Sequence, residues 1–491
     1  MAQVLATPGV YIEEKSSFPS SAVQVATAVP AFVGYTEKAL RGNKSLRNKP
    51  TRITSLSEFH EMFGGAPTTT FAIEASEEEG FALTVDADTK YNMYSSMRLF
   101  FANGGSTCYI ISVGDYKSKV SATDLNDLEK GGGIQTLLKE PEPTMLVIPD
   151  AVLLEENDCY SLQQAMLMHC GADMKSRIAL LDIYNGTEDR TYDENDIITR
   201  SREGVGQNFL QYGSMYYPYL NTTVVPKDTL SYKNISNADG LSTLLNDQAD
   251  ALYGDDAAAI KEQIALISDE AANTQSLHQT LSAKIPMYKA VMSEMAAQLN
   301  VLPPSGGMAG VISMVDTQVG VFQSPANVSI GSVVSPTVNL TSKDQEDLNL
   351  PLNGKAINAI RTFPGKGVLV WGARTLEGNS QDWRYLSVRR TVIMIEQSLK
   401  IAAEAYVFQP NTVNTWVGVK GMMSNFLRDQ WSQGALAGST PEDAYSVDIG
   451  LGVTMTPTDI LDGIMRITVK LAVTRPAEFI VITFEQQMQK S

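Results

Sequence analysis

Three short stretches, "TCYIISVG" (Thr107–Gly114), "TMLVIPD" (Thr144–Asp150) and "RIALLDI" (Arg177–Ile183), set the reading of this chain. Each is a continuous apolar run rather than an alternation, which marks strands buried on both faces. Helical patterns precede and separate them: "YNMYSSMRLFFANGG" (Tyr91–Gly105), "GGIQTLLKE" (Gly132–Glu140) and "CYSLQQAMLMHCGA" (Cys159–Ala172). Apolar strands alternating with helices predict an α/β fold built on a mainly parallel sheet. Upstream, "AVPAFVGYTEKA" (Ala28–Ala39) reads as a further buried strand. "SLSEFHEMFGGAP" (Ser55–Pro67) reads as a helix capped by Ser57 and stopped at Gly64-Gly65.

Residues 68–90 carry Glu74, Glu77, Glu78, Glu79, Asp86 and Asp88 around two small apolar pieces and predict a solvated hairpin or loop. From Asn237 to Asn300 the chain turns helical and acidic, with Pro286 placed to kink or divide the last helix. "LPPSGGMAG" (Leu302–Gly310) reads as a sharp loop. A second compact section begins near Asn353, with the strand "GVLVWGARTL", a helix from Asp382 to about Phe408, another from about Val413 to Gln433, and two final strands.

The 491 residues, 43% hydrophobic and 19% charged, fit a soluble globular chain. No apolar run approaches the ~18 residues of a membrane span, and the N-terminus lacks a signal-peptide pattern, so cytosolic synthesis is expected. A net charge of −17 opposes non-specific attraction to nucleic acid or anionic lipid. Cys108, Cys159 and Cys170 form no CxxC; if the last two share a helix they lie about 16 Å apart, beyond disulfide reach. All three read as reduced core thiols.

The sequence announces no catalytic constellation. His60, His169 and His278 are the only histidines, and His169 and Cys170, neighbours on a helix, point in different directions. There is no G-x-S-x-G elbow, and "FPGKG" (Phe363–Gly367) lacks the first glycine and the Ser or Thr of a phosphate loop. No H-E-x-x-H, cysteine cluster or calcium loop occurs. Asp150 and Asp182 sit near the carboxyl ends of two strands, where sites form in open α/β folds but where acids also cap helices. The chain therefore reads as a non-enzyme without catalytic, cofactor or metal residues.

The two ends pose a different problem. "TPGVYIEE" (Thr7–Glu14) is a short strand pattern, followed by the leash-like "KSSFPSSA" (Lys15–Ala22). "RITVKLAVT" (Arg466–Thr474) alternates as a half-buried strand, and "EFIVITFEQ" (Glu478–Gln486) is apolar on both faces within a few residues of the chain end. Left at a surface, that last strand is an aggregation template. Pattern alone leaves two solutions: both ends pair inside their own subunit, or both add strands to sheets of neighbouring copies, which being head-to-tail builds rings or helical filaments.

Together "TPGVYIEE", "VPAFVGYTEKA", "PPSGGMAGVISMVD", "GVFQSPAN", "INAIRTFPGKGVLVWGARTL", "DWRYLSVRR", "MIEQSLK", "TWVGVKGMMSNFLRDQW" and "RPAEFIVITFEQ" resemble, in order, the contractile tail sheath proteins of phages and especially of phage-like contractile injection systems. The likeness covers both ends and most of the second half; residues 68–300 match in outline. It implies a subtilisin-like outer α/β domain and an inner domain built from both chain ends. The divisions expected are an N-terminal arm and linker (1–22), the outer region (23–350), the inner sheath domain (351–475) and a C-terminal arm strand (476–491).

The resemblance also implies a subunit of stacked hexameric rings around an inner tube, contracting from a metastable extended state to drive the tube through a target envelope. Its partners are further copies of itself, the tube protein, and baseplate and terminal cap proteins, with no nucleic acid and no membrane insertion. Assembly is expected in the bacterial cytoplasm, followed by release as part of a phage tail-like particle. The inter-subunit mesh falls on Val10, Tyr11 and Ile12, on Phe479, Ile480, Val481, Ile482 and Phe484, and on a receiving strand with Ile467, Val469, Leu471 and Val473. The helix near 413–433 resembles the tube-facing helix, with Lys420, Arg428 and Asp429 as polar contacts; an ordinary helix whose charges face water is the alternative. Arg384, Arg389 and Arg390 read as structural salt-bridge partners. A non-contracting tubular shell protein or baseplate-proximal paralogue is the alternative function, and an α/β hydrolase the third.

Deleting Ala2–Ser17 is expected to leave a folded, soluble subunit that no longer forms long tubes, checked by electron microscopy beside the intact chain.

Overall fold

The structure is a computed structural model that describes residues 22–78, 80–269, 271–479 and 481. Its centre is a nine-stranded sheet. In chain order the strands are β1 (Pro30–Tyr35), β2 (Thr51–Ile53), β3 (Cys108–Gly114), β4 (Met145–Val147), β5 (Ile178–Asp182), β6 (Gly213–Tyr217), β7 (Val328–Ser329), β8 (Asn358–Phe363) and β9 (Gly367–Val370). Their spatial order is β7-β9-β8-β6-β5-β4-β1-β3-β2. The six strands from β8 to β3 run parallel, while β2 and β9 run antiparallel to their neighbours. Every residue of β1, β3, β4, β5 and β6 is buried, the reason these segments read as unbroken apolar runs.

Helices α1 (Met93–Ala102) and α2 (Ser305–Gln318) pack on each other through glycine. A Cβ on Gly306 would lie 2.7 Å from Ser96 Cβ, and one on Gly310 only 2.5 Å from the Phe100 carbonyl oxygen. This packing explains why "LPPSGGMAG" is not the loop expected from its glycines: Pro303-Pro304 end the preceding segment, and α2 starts at Ser305 because its small residues admit α1. The cap of the helix Leu56–Phe63 is Ser55, not Ser57. Its hydroxyl accepts the Glu58 N–H, and the Glu58 carboxylate reaches back to the Thr54 N–H. "GGIQTLLKE" forms a 3₁₀ segment, Ile134–Lys139, rather than an α-helix.

The acidic section folds as Ala238–Tyr253, Ala258–Ala265, Thr274–Lys284 and Pro286–Leu299, and Pro286 opens the last helix after dividing it from the one before. These helices bury their own apolar cluster, including Leu241, Leu245, Ile264, Leu281 and Met295. The expected acidic hairpin, Phe71–Glu74 paired with Ala82–Val85, contributes Phe71 and Ile73 to that cluster.

The described residues divide into two compact units, 26–393 with 475–479 and 481, and 22–25 with 394–474. The second section expected from 351 therefore begins later. Residues 351–393 belong with the sheet because β8 and β9 extend it, and the division falls inside helix α3 (Leu386–Glu404). The smaller unit contains α4 (Val413–Ser432) and the hairpin β10 (Tyr445–Asp448) and β11 (Thr468–Leu471).

Gly310→Ala is expected to lower unfolding free energy by about 1–3 kcal/mol, because the added methyl group meets backbone rather than a movable side chain. A shift in the denaturant midpoint at constant slope checks it.

Candidate functional site

The hairpin β10–β11 is a two-stranded sheet in the smaller unit. Its strands pair antiparallel with Tyr445 opposite Leu471, Ser446 opposite Lys470, Val447 opposite Val469 and Asp448 opposite Thr468. Pairing continues past β11: the Ala472 N–H donates to the Ala444 carbonyl at 2.8 Å, the Ala437 N–H to the Ala472 carbonyl at 2.7 Å and the Thr474 N–H to the Ala435 carbonyl at 3.1 Å. Backbone groups alternate between the two edges of a strand, so with Ala472 and Thr474 turned inward, those of Val469, Leu471 and Val473 turn outward. No backbone partner meets these outward groups among the described residues. Ile467, Val469, Leu471 and Val473 are each only half-buried. A two-stranded sheet is marginal by itself and here offers an open edge of at least three alternate residues.

Of the residues expected to fill such edges, Val10, Tyr11, Ile12, Ile480, Ile482 and Phe484 lie outside the described residues. Phe479 and Val481 are described, and are 66% and 88% exposed.

On α4, Val419, Met422, Met423, Phe426 and Leu427 are buried, whereas Lys420, Arg428 and Asp429 are exposed. None of these three charges has an ion-pair partner among the described residues, in keeping with a polar outer face. Trp416 donates its indole N–H to Asn411 Oδ1 at 2.6 Å and Trp431 to the Gly438 carbonyl at 3.0 Å, so both serve the unit's own structure.

The arginines of "DWRYLSVRR" are internal. Arg390 makes a buried two-pronged pair with Asp316 at 2.8 and 2.6 Å and also donates to the Thr27 carbonyl at 2.9 Å. Arg389 stacks over Trp383 at 4.3 Å and Tyr212 at 4.9 Å, and Arg384 donates to the Ser380 carbonyl at 3.1 Å.

Asp150 and Asp182 are helix caps. Asp150 accepts the N–H groups of Asn92 at 2.6 Å and Tyr35 at 3.2 Å, fixing the start of α1 against β1. Asp182 accepts the Ser305 N–H at 2.8 Å and hydroxyl at 2.5 Å, fixing the start of α2 at the end of β5. Burial raises the two carboxyl groups to about 6 and about 7 despite these bonds. Ser305 is fully buried, and its one acid partner comes without a histidine. His169 meets the buried Arg177 at 3.2 Å, with burial and then that cation pushing it down to about 3. His60 bonds Tyr94 and His278 bonds Tyr288. Cys159 and Cys170 are buried thiols pushed up by burial to about 12, opposite to an activated nucleophile. Among the described residues no His, Cys, Asp or Glu group of three or more has the arrangement of a metal site, and no helix is long and apolar enough to cross a membrane.

Sequence reasoning missed Arg374 and Glu478, which form a partly buried ion pair 104 residues apart. No local pattern marks such a pair.

Residues 379–487 match the phage tail sheath C-terminal domain. Along its length the chain is similar to the sheath of an extracellular contractile injection system, PVC, in the contracted state, at 27% identity and TM-score 0.61, covering 99% of each chain. It is similar to the contracted helical sheath of the anti-feeding prophage at 28% identity and TM-score 0.62, covering 99% of this chain and 100% of that one. A chain of the six-fold symmetrised anti-feeding prophage baseplate matches at 28% identity and TM-score 0.59, with the same coverage. No curated protein sequence matches.

Because the folded pKa of Asp182 lies above its unfolded value, the native state binds the proton more tightly. Its contribution to stability therefore falls as pH rises from about 4 to about 7 and is flat above. Asp182→Asn is expected to flatten the pH dependence of the unfolding midpoint across that window, read by thermal melts at successive pH values.

Proposed function

We propose that this chain, a contractile tail sheath protein by its C-terminal domain and its full-length fold, is the structural subunit of stacked hexameric rings around an inner tube. The observation that carries this reading is the open outer edge of β11, where no backbone partner is present among the described residues. A strand from a second copy supplies the missing main-chain hydrogen bonds, and side chains on the half-buried face of Ile467, Val469, Leu471 and Val473 set its register. The N-terminal residues Val10–Ile12 and the C-terminal residues Phe479–Phe484 are the donors. Arms of this kind connect each subunit to others, and connections that are not reciprocal propagate as a helical lattice.

Contraction depends on such connections. An extended sheath is a long-lived state of higher energy, and subunits rotate and move outward as rigid bodies into a tighter packing while the paired strands stay joined and their linkers flex. The energy is stored in assembly, so no nucleotide hydrolysis is required. Lys420, Arg428 and Asp429 on α4 meet the inner tube through weak exposed polar contacts that release when the sheath widens. The sheet-bearing unit, with residues 26–393, is the outer region, and the unit with residues 394–474 is the inner domain, with arms at 1–22 and 476–491. Baseplate and terminal cap proteins bound the tube of rings. The particle assembles in the bacterial cytoplasm and acts after release.

Val469→Pro tests the edge directly. The Val469 N–H faces outward, so proline removes no bond of the hairpin but blocks an added strand. The variant is expected to melt within a few degrees of the parent and to form no tubes by electron microscopy. Tubes of normal length from this variant would overturn the proposed edge.

A further inference from the structure

Where the chain returns from Thr474 to the sheet-bearing unit, a cluster of polar side chains is built around Arg374, whose side chain is 2% exposed against 22% for its partner Glu478. Arg374 Nε donates to Glu478 Oε1 at 3.0 Å and Nη2 to Oε2 at 2.5 Å, a two-pronged fork. Asn349 Nδ2 adds a bond at 2.8 Å and the Tyr385 hydroxyl one at 3.3 Å. One carboxylate thus takes four donors. Burial by itself raises its pKa, but these donors outweigh burial and hold the group below the usual carboxylate range.

Arg374 is itself tied to the parallel sheet. Its N–H donates to Asn358 Oδ1 at 2.7 Å, and its carbonyl accepts from Asn358 Nδ2 at 2.9 Å and from the Ser214 hydroxyl at 3.0 Å. Asn358 lies in β8 and Ser214 in β6, and Asn358 Nδ2 also reaches the Met215 carbonyl at 3.2 Å. A continuous set of hydrogen bonds therefore runs from two central strands through Arg374 to Glu478. Immediately beyond, Phe479 and Val481 are exposed. The fork holds the start of an apolar segment in place while leaving these two side chains open, unlike a pair that simply closes a chain end onto its own core.

We propose that Glu478 is the fixed point of the C-terminal segment, anchored by Arg374 to β6 and β8, so that a second copy of this chain gripping the residues beyond Glu478 pulls on the parallel sheet rather than on the hairpin unit. Arg374 and Glu478 are positioning residues, and their role in assembly rests on the sheath reading above.

The test uses the full chain, with chymotrypsin cleavage after the exposed Phe479 on the free subunit and electron microscopy of assembled tubes. Glu478→Gln places an amide donor against a guanidinium donor. Cleavage after Phe479 is expected to quicken at least tenfold while the melting midpoint stays within a few degrees of the parent, and tubes are expected to shorten. Unchanged cleavage, or faster cleavage with tubes of normal length, overturns the proposal. If Glu478→Gln lowers the melting midpoint strongly, a four-residue Gly-Ser insertion between Glu478 and Phe479 decides instead. It leaves the fork intact and adds about 14 Å of slack. Parental melting with shortened tubes supports the anchor, and normal tubes overturn it. Absence of tubes from the parent chain ends the sheath reading and the assembly role with it, while the cleavage data still report whether the fork holds the segment.

Discussion

A strand edge in water is tolerable only when short, charged or covered, because every second residue turns an N–H and a C=O outward. The two units of this protein meet that constraint differently. In the parallel sheet, β9 and β2 flank the six parallel strands, and the apolar runs inside leave no central edge free. In the smaller unit, β11 pairs along one edge from Thr468 to Thr474, and its other edge meets nothing among the described residues. Its side chains share this condition, being half-buried where a completed sheet would enclose them.

The buried and partly buried charges have structural duties. Asp150 and Asp182 accept N–H groups at the starts of α1 and α2, Asp316 takes Arg390, and Glu478 takes Arg374. These contacts fasten helices and the returning chain to the sheet at defined points. Burial makes ionisation of the first two carboxyl groups costly, which shows as raised pKa values. Four donors around Glu478 produce the opposite sign.

Much of this was legible in the chain. The parallel sheet followed from unbroken apolar runs, since strands buried on both faces need no alternation, and the half-buried strand β11 followed from the alternation of Ile467, Val469, Leu471 and Val473. Pro286 divides two helices as its missing N–H requires. Other readings failed for identifiable reasons. Glycine at 306, 307 and 310 signals a turn when read locally, yet here it admits a second helix at close range. Ser57 is as good a cap residue as Ser55, and only the backbone geometry separates them.

What the sequence determined by itself was the class of fold, the strand patterns at both ends and the absence of catalytic spacing, all properties of residues near one another along the chain. The tertiary structure alone decided that the compact division falls within α3, that Asp182 meets Ser305 across 123 residues, and that Arg374 holds Glu478 across 104. Such pairs form because folding brings distant groups into a low-dielectric interior where an unpaired charge is costly, a condition no local pattern records.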